Sequence, residues 1–187
     1  MQFICSLIVA LTFLVILHKT CAKNDDIISI SSGTSFGRCV GRCRQSITLM
    51  SDPLQVVISR EANSNQASYP PIHVTSPIIF SEWNKLVSSV NLDIFQKLDD
   101  RIGCPDCADG GAEWIQVDWN NGSKRVTFEN GRTVQDLEEL ILTMRQIRQI
   151  YLSLSEKGSF SKKVIIRDRY ETTWLTELTQ RFLRNLN

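Results

Sequence analysis

The chain has 187 residues, with 21 Lys and Arg against 20 Asp and Glu, a formal charge of +1. So even a balance excludes any recognition of nucleic acid or anionic lipid that rests on global charge. At 42% hydrophobic and 22% charged residues it can bury a core, which excludes wholesale disorder, and its length fits one domain.

From Phe3 to Leu17 the chain is apolar except for Ser6 and Thr12, a run too short for a membrane span of about 20 residues. With the small residues Thr20-Cys21-Ala22 behind it, this predicts a signal peptide over residues 1–22 and an exported domain over 23–187. Only Met1 and Gln2 precede the apolar run, so an uncleaved membrane tether is the alternative. Export leaves four cysteines, Cys39, Cys43, Cys104 and Cys107, and one histidine, His73. A single histidine in a Ser/Pro-rich stretch argues against a Ser-His-Asp or Cys-His unit and rules out a two-histidine metal site.

Ile27 to Ser31 alternates as a half-buried strand does, and Gly33 with Gly37 then predicts a turn. Ser46 to Met50 and Leu54 to Ser59 flank Asp52-Pro53 as a hairpin. The Asn, Ser and Pro residues between Arg60 and Ile78 predict a flexible loop. Ser81 is placed to cap a helix through Trp83, Leu86, Val87 and Val90, and Asn91 to cap another carrying Leu92, Phe95 and Leu98 to Ile102. Asn121-Gly122 between two alternating runs, 112–119 and 124–129, is the strongest local hairpin signal in the chain. Thr133 and Asp136 form a capping-box variant before an amphipathic helix with Leu137, Leu140, Ile141, Met144, Ile147 and Tyr151 on its buried stripe, ending at Gly158. A strand over Lys163 to Asp168 and a helix packed through Trp174, Leu178 and Phe182 complete the prediction. The order predicts an α+β fold: an antiparallel sheet of two hairpins plus an N-terminal strand, with helices packed on one face.

The four cysteines allow three readings. A four-thiolate zinc site on Cys39, Cys43, Cys104 and Cys107 is disfavoured by the three-residue spacer of the first pair and by an oxidising compartment. A redox CxxC needs a helix N-terminus, whereas Cys107 is followed by Gly110-Gly111 and flanked by Asp106 and Asp109, which oppose a thiolate. Structural disulfides are the preferred reading, with neither metal nor cofactor expected. Arg38, Arg42 and Arg44 surround the first pair and Asp99, Asp100, Asp106 and Asp109 the second. That complementarity and the entropy of closing a long loop favour bridges between the pairs, either Cys39 with Cys104 and Cys43 with Cys107 or the crossed arrangement. Local bridges within each pair are the alternative.

Cys39-Val40-Gly41-Arg42-Cys43, between the first strand and Ser46-Ile47-Thr48-Leu49, resembles the opening of a family of small exported domains of unknown function that carry C-x-G-x-C-P before a strand. The resemblance covers about a fifth of the chain, which has Arg44 in place of the proline, and the Cys104/Cys107 loop is no part of that pattern. It implies export and α+β architecture and assigns no catalytic residue.

With no nucleophile and base in evidence, a binding or interaction module with a protein or glycan partner leads, and neither nucleic acid nor membrane is expected as partner. Charge is segregated in support of it, net −5 from Asn91 to Asn121 and net +5 from Leu142 to Asn187. The alternative is a hydrolase built on carboxylates, with Glu113 and Asp118 as candidates. Asp106, Asp109 and Glu113 form a candidate acidic site, without the ligand spacing of an EF-hand. A thiol-disulfide oxidoreductase or zinc domain ranks below these. Asn121-Gly122-Ser123 is a glycosylation sequon at a predicted hairpin tip.

Overall fold

The computed structural model describes residues 27–63 and 67–156. Seven strands form one sheet: β1 (Ile27–Ser35), β2 (Arg44–Ser51), β3 (Leu54–Glu61), β4 (Ile72–Pro77), β5 (Arg101–Ile102), β6 (Ala112–Trp119) and β7 (Gly122–Glu129). Their spatial order is β4-β3-β2-β1-β6-β7-β5, and every pairing is antiparallel except β5 with β7. Three helices, α1 (Phe80–Ser88), α2 (Leu92–Phe95) and α3 (Glu138–Glu156), accompany the sheet, so the protein is α+β.

Both hairpins form as predicted, and β1 lies between them at the centre of the sheet. Period-two alternation then sets the two faces. One carries Ile30 on β1, Ile47 and Leu49 on β2, Val56 and Ile58 on β3, Ile115 and Val117 on β6, and Val126 and Phe128 on β7, all essentially buried. Trp83, Leu86 and Val87 of α1, Leu92 and Phe95 of α2, and Leu140, Ile141, Met144 and Tyr151 of α3 join them in a single core.

Several sequence-based expectations are corrected. Gly33 does not open a turn: it lies inside β1, where a Cβ would stand 2.5 Å from the Trp114 ring and 2.8 Å from the Gln45 carbonyl oxygen. Its lack of a side chain makes room for an indole on the neighbouring strand. The predicted two-hairpin sheet is too small, because Ile72 to Pro77 forms β4 and Arg101-Ile102 forms β5. Proline is tolerated in β4 because it is an edge strand with one side of its ladder open. The loop prediction therefore fails over its last third, and β3 runs on to Glu61.

Helix starts also differ. Ile79, extended and without a side-chain cap, precedes α1, and Ser81 falls in its first turn. Asn91 does cap α2, its side chain accepting from the Ile94 amide at 3.2 Å, but that helix stops at Phe95 and Ile102 is a strand residue. Asp136 takes a left-handed φ of 67° and α3 opens at Glu138, so the capping box does not form. Aspartate accepts that conformation more readily than most residues, and Glu138 and Glu139 then supply negative charge at the helix start. The signal peptide, the strand over Lys163 to Asp168 and the last helix lie outside the described residues.

The cysteine bridges are local. Cys39 is joined to Cys43 with Cα atoms 6.0 Å apart, and Cys104 to Cys107 at 5.5 Å. The two loops do meet, at the end of the sheet where β1 finishes and β6 begins, but hydrogen bonds and charge hold them there. Asp106 Oδ1 accepts from the amides of Gly37 (3.3 Å) and Gly111 (3.2 Å), and Arg38 pairs with Asp109 at 3.8 Å. Of the complementary charges predicted to favour cross-bridges, Arg38 and Asp109 pair between the loops, whereas Arg44 pairs with Glu61, Asp100 with Lys124, and Arg42 donates to the Pro70 carbonyl. Closing so short a loop restrains the unfolded chain by about 2 kcal/mol, against about 4 for a sixty-residue loop. Cys39→Ser with Cys43→Ser is accordingly expected to lower stability by about 2 kcal/mol in urea unfolding. A non-reducing tryptic map should release the fragment holding Cys104 and Cys107 free of any link to Cys39.

Candidate functional site

The acidic residues singled out in the sequence do not converge. Asp106 is engaged by two backbone amides, Asp109 makes an exposed pair with Arg38, and Glu113 is buried on the core face. Among the described residues no group of three or more His, Cys, Asp or Glu side chains could hold a metal ion. Glu113 and Asp118 lie on one strand five residues apart, an odd separation that sends them to opposite faces. They cannot flank one glycosidic bond, and that pair is withdrawn as catalytic machinery.

Glu113 has a structural partner set instead. It is 1% exposed and accepts from Arg145 Nε at 2.9 and 3.0 Å and from Arg145 Nη2 at 2.6 Å. Arg148 Nη2 donates to its other side at 2.7 Å, while Arg148 Nη1 donates to Ser32 Oγ and Arg145 Nη2 to the Arg132 carbonyl. This Arg-Glu-Arg cluster ties α3 to β1 and β6 through the core. It also consumes internally two of the basic side chains that the sequence pattern assigned to a surface dipole.

Among the described residues no helix packs on the other face of the sheet. Its central rows are Met50-Ser29-Asp118-Ser123, Thr48-Ser31-Gln116-Arg125 and Ser46-Gly33-Trp114-Thr127, read across β2, β1, β6 and β7. Small residues fill β1, while the larger Trp114, Gln116, Asp118 and Arg125 come from β6 and β7. They form a connected network. Ser29 and Ser123 donate to the two oxygens of Asp118, Gln116 Nε2 donates to Asp118 Oδ1 at 2.8 Å, and Arg125 Nε donates to Gln116 Oε1 at 2.9 Å. The Arg125 guanidinium also lies 4.0 Å from the centre of the Trp114 ring, a cation-π contact over the indole that Gly33 accommodates. Ser31 donates to Thr48 at 2.9 Å.

Burial disfavours the charged form of Asp118, but the hydrogen bonds from Ser123, Ser29 and Gln116 and the positive charge of Arg125 together outweigh it. Its carboxyl is held below the usual range. Burial likewise lowers the Arg125 guanidinium, with Asp118 opposing and Arg44 reinforcing the shift. A depressed folded pKa gives stability that is present above the ordinary value of about 3.9 and is lost as pH falls through the folded value. Wild type should therefore lose more stability than Asp118→Asn between about pH 4 and pH 2, a difference read from urea midpoints at each pH.

At the β7 edge this face turns into a groove of about 600 Å³ lined by Gln96, Asp100, Trp119, Ser123, Lys124, Arg125 and Thr127. It exists because β5 pairs β7 only at Thr127 and Phe128, and among the described residues no strand flanks the earlier part of β7 on the side away from β6. Lys124 and Asp100 bridge its wall at 3.0 Å. Asn121 is exposed at the tip of the hairpin beside it.

His73 sits on edge strand β4 rather than in a loop, with its Nδ1 3.0 Å from Ser59 Oγ. Among the described residues no carboxylate bonds its other ring nitrogen, so the contact does not make a triad. The network around Asp118 and Arg125 was not assigned from sequence. Its one available signal was the spacing Trp114-x-Gln116-x-Asp118, polar and aromatic residues at a strand's period of two. The chain matches no protein-family model and no curated protein.

Proposed function

We propose that the protein is an exported binding module that holds a hydroxyl-rich ligand, a glycan, on the face of its sheet opposite α1, α2 and α3. The observation that carries this reading is the polar character of that face: Thr48, Gln116, Asp118, Ser123 and Arg125 share it with Trp114, and Ser29 and Ser31 on the central strand β1, each 6% exposed, are polar as well. Among the described residues, the large hydrophobic side chains left exposed lie on the loop at Val40, the helices at Phe80 and Leu142, the segment leading into α1 at Ile79, the first residue of β4 and the bulge at Ile28, of which only the last borders this face. A protein partner would be expected to meet a desolvated apolar centre. A sugar meets hydroxyls, amides and an aromatic ring. Two disulfides fit an oxidising compartment, and no helix among the described residues is long and apolar enough to cross a membrane. Cleavage after Ala22, glycosylation at Asn121 and kinship with the C-x-G-x-C-P domains belong to the same proposal.

The test uses the full chain, produced with its disulfides, on an immobilised panel of neutral and acidic polysaccharides. Binding to at least one member should be lost in Ser31→Lys with Thr48→Lys and kept in Leu142→Lys, which alters the helical side. Loss in the Leu142 variant alone, or binding to no member, would overturn the reading.

A further inference from the structure

We infer that the groove beside β7 takes the acidic sugar of an anionic polysaccharide, with Arg125 receiving its carboxylate; this rests on the glycan reading above and names the ligand class. Arg125 is fixed from two sides, its Nε by Gln116 at 2.9 Å and its flat face by Trp114 at 4.0 Å. Its two Nη nitrogens have no hydrogen-bond partner among the described residues, so the end of the guanidinium fork that matches a carboxylate is the end left available. Gln116 is itself held by Asp118, and Asp118 by Ser29 and Ser123, so the fork is positioned by a chain of contacts running back to the centre of the sheet. A side chain ordered before binding loses less rotamer freedom when the ligand arrives.

The groove wraps the open edge of β7. Ser123 and Thr127 flank Arg125 on one face of the strand, and Gln96 and Trp119, the latter packed on the hydrophobic core, line it from the other side. Its volume of about 600 Å³ is open to solvent, a surface groove rather than an enclosed pocket. Lys124 already has Asp100, so its charge is matched within the protein, whereas Arg125 shares only the Asp118 carboxylate, which three other donors also use. The unmet positive charge is therefore at Arg125. A neutral glycan would leave it unused, and an acidic one would complete it with two parallel charge-assisted hydrogen bonds.

The experiment titrates the full chain with trigalacturonate and with its methyl ester, which keeps the skeleton and removes the charge, and with a sulfated disaccharide and inorganic sulfate. Tryptophan fluorescence serves as readout, because Trp114 and Trp119 both border the site. The acid should bind at least ten times more tightly than the ester. Arg125→Gln should abolish that preference, and Arg125→Lys should keep only part of it because a point charge cannot reproduce the fork. Tighter binding of the sulfated sugar than of the uronate, with the same loss in Arg125→Gln, would place a sulfate ester rather than a carboxylate on the fork. Equal binding of acid and ester, with binding lost in Ser31→Lys with Thr48→Lys, would overturn the acidic ligand and leave the glycan reading standing. Binding of inorganic sulfate alone, or a preference unchanged in Arg125→Gln, would overturn the assignment to this site.

Discussion

Glu113→Gln is expected to cost about 3–5 kcal/mol, because it removes one charge from a buried cluster and leaves two guanidinium groups facing each other without their counter-charge. The substitution keeps the size of the side chain, so the loss is electrostatic and not a packing defect. Arg145 and Arg148 are 23% and 10% exposed at the side chain, too little for solvent to replace a carboxylate that is itself 1% exposed. In a domain of this size the loss corresponds to a fall in Tm on the order of 10 °C. The companion variant, with Glu113, Arg145 and Arg148 all replaced by apolar residues of similar volume, should lose far less, since removing a whole buried ion cluster also removes its desolvation penalty. If Glu113→Gln unfolded like wild type in urea, the cluster would carry no structural weight and Glu113 would return as a functional candidate.

Phe95→Ala should cost a similar amount, about 3–5 kcal/mol. Phe95 ends the four-residue helix α2 and is fully buried in the core. So short a helix has little stability of its own, which leaves this ring as its main attachment. Asn91→Ala, which removes the cap bond to Ile94, is expected to cost only about 1 kcal/mol. Urea unfolding of the two variants therefore ranks anchor against cap. A larger loss for Asn91→Ala would mean that local helix formation, rather than burial, holds this segment.

Those two residues differed in how far sequence revealed them. Phe95, like Trp83, was legible as core because helical spacing aligns it with other apolar residues. Glu113 was not, because a carboxylate carries no periodic signature and its partners Arg145 and Arg148 are more than thirty residues away. The five-residue gap between Glu113 and Asp118 did hold the answer to the hydrolase question. Once 112–119 is a strand, an odd gap places the two acids on opposite faces. The parity of Trp114, Gln116 and Asp118 likewise placed them together, but not beside Arg125, which depends on the register that pairs Gln116 with Arg125.

Sequence by itself determined the local geometry: both hairpins, from the turn residues Asp52-Pro53 and Asn121-Gly122; the cap at Asn91; and the buried stripe of α3. Each depends on residues within a few positions of one another, where backbone sterics and side-chain period act directly. Tertiary structure decided the place of β1 between the hairpins, the recruitment of β4 and β5, the closure of each cysteine pair on itself and the two faces of the sheet. Apart from the cysteine bridges, which close over four and three residues, those follow from contacts between segments far apart in the chain, where many registers and pairings satisfy the same alternation. Only simultaneous burial of the apolar face, with Glu113 matched to its two arginines, selects one of them.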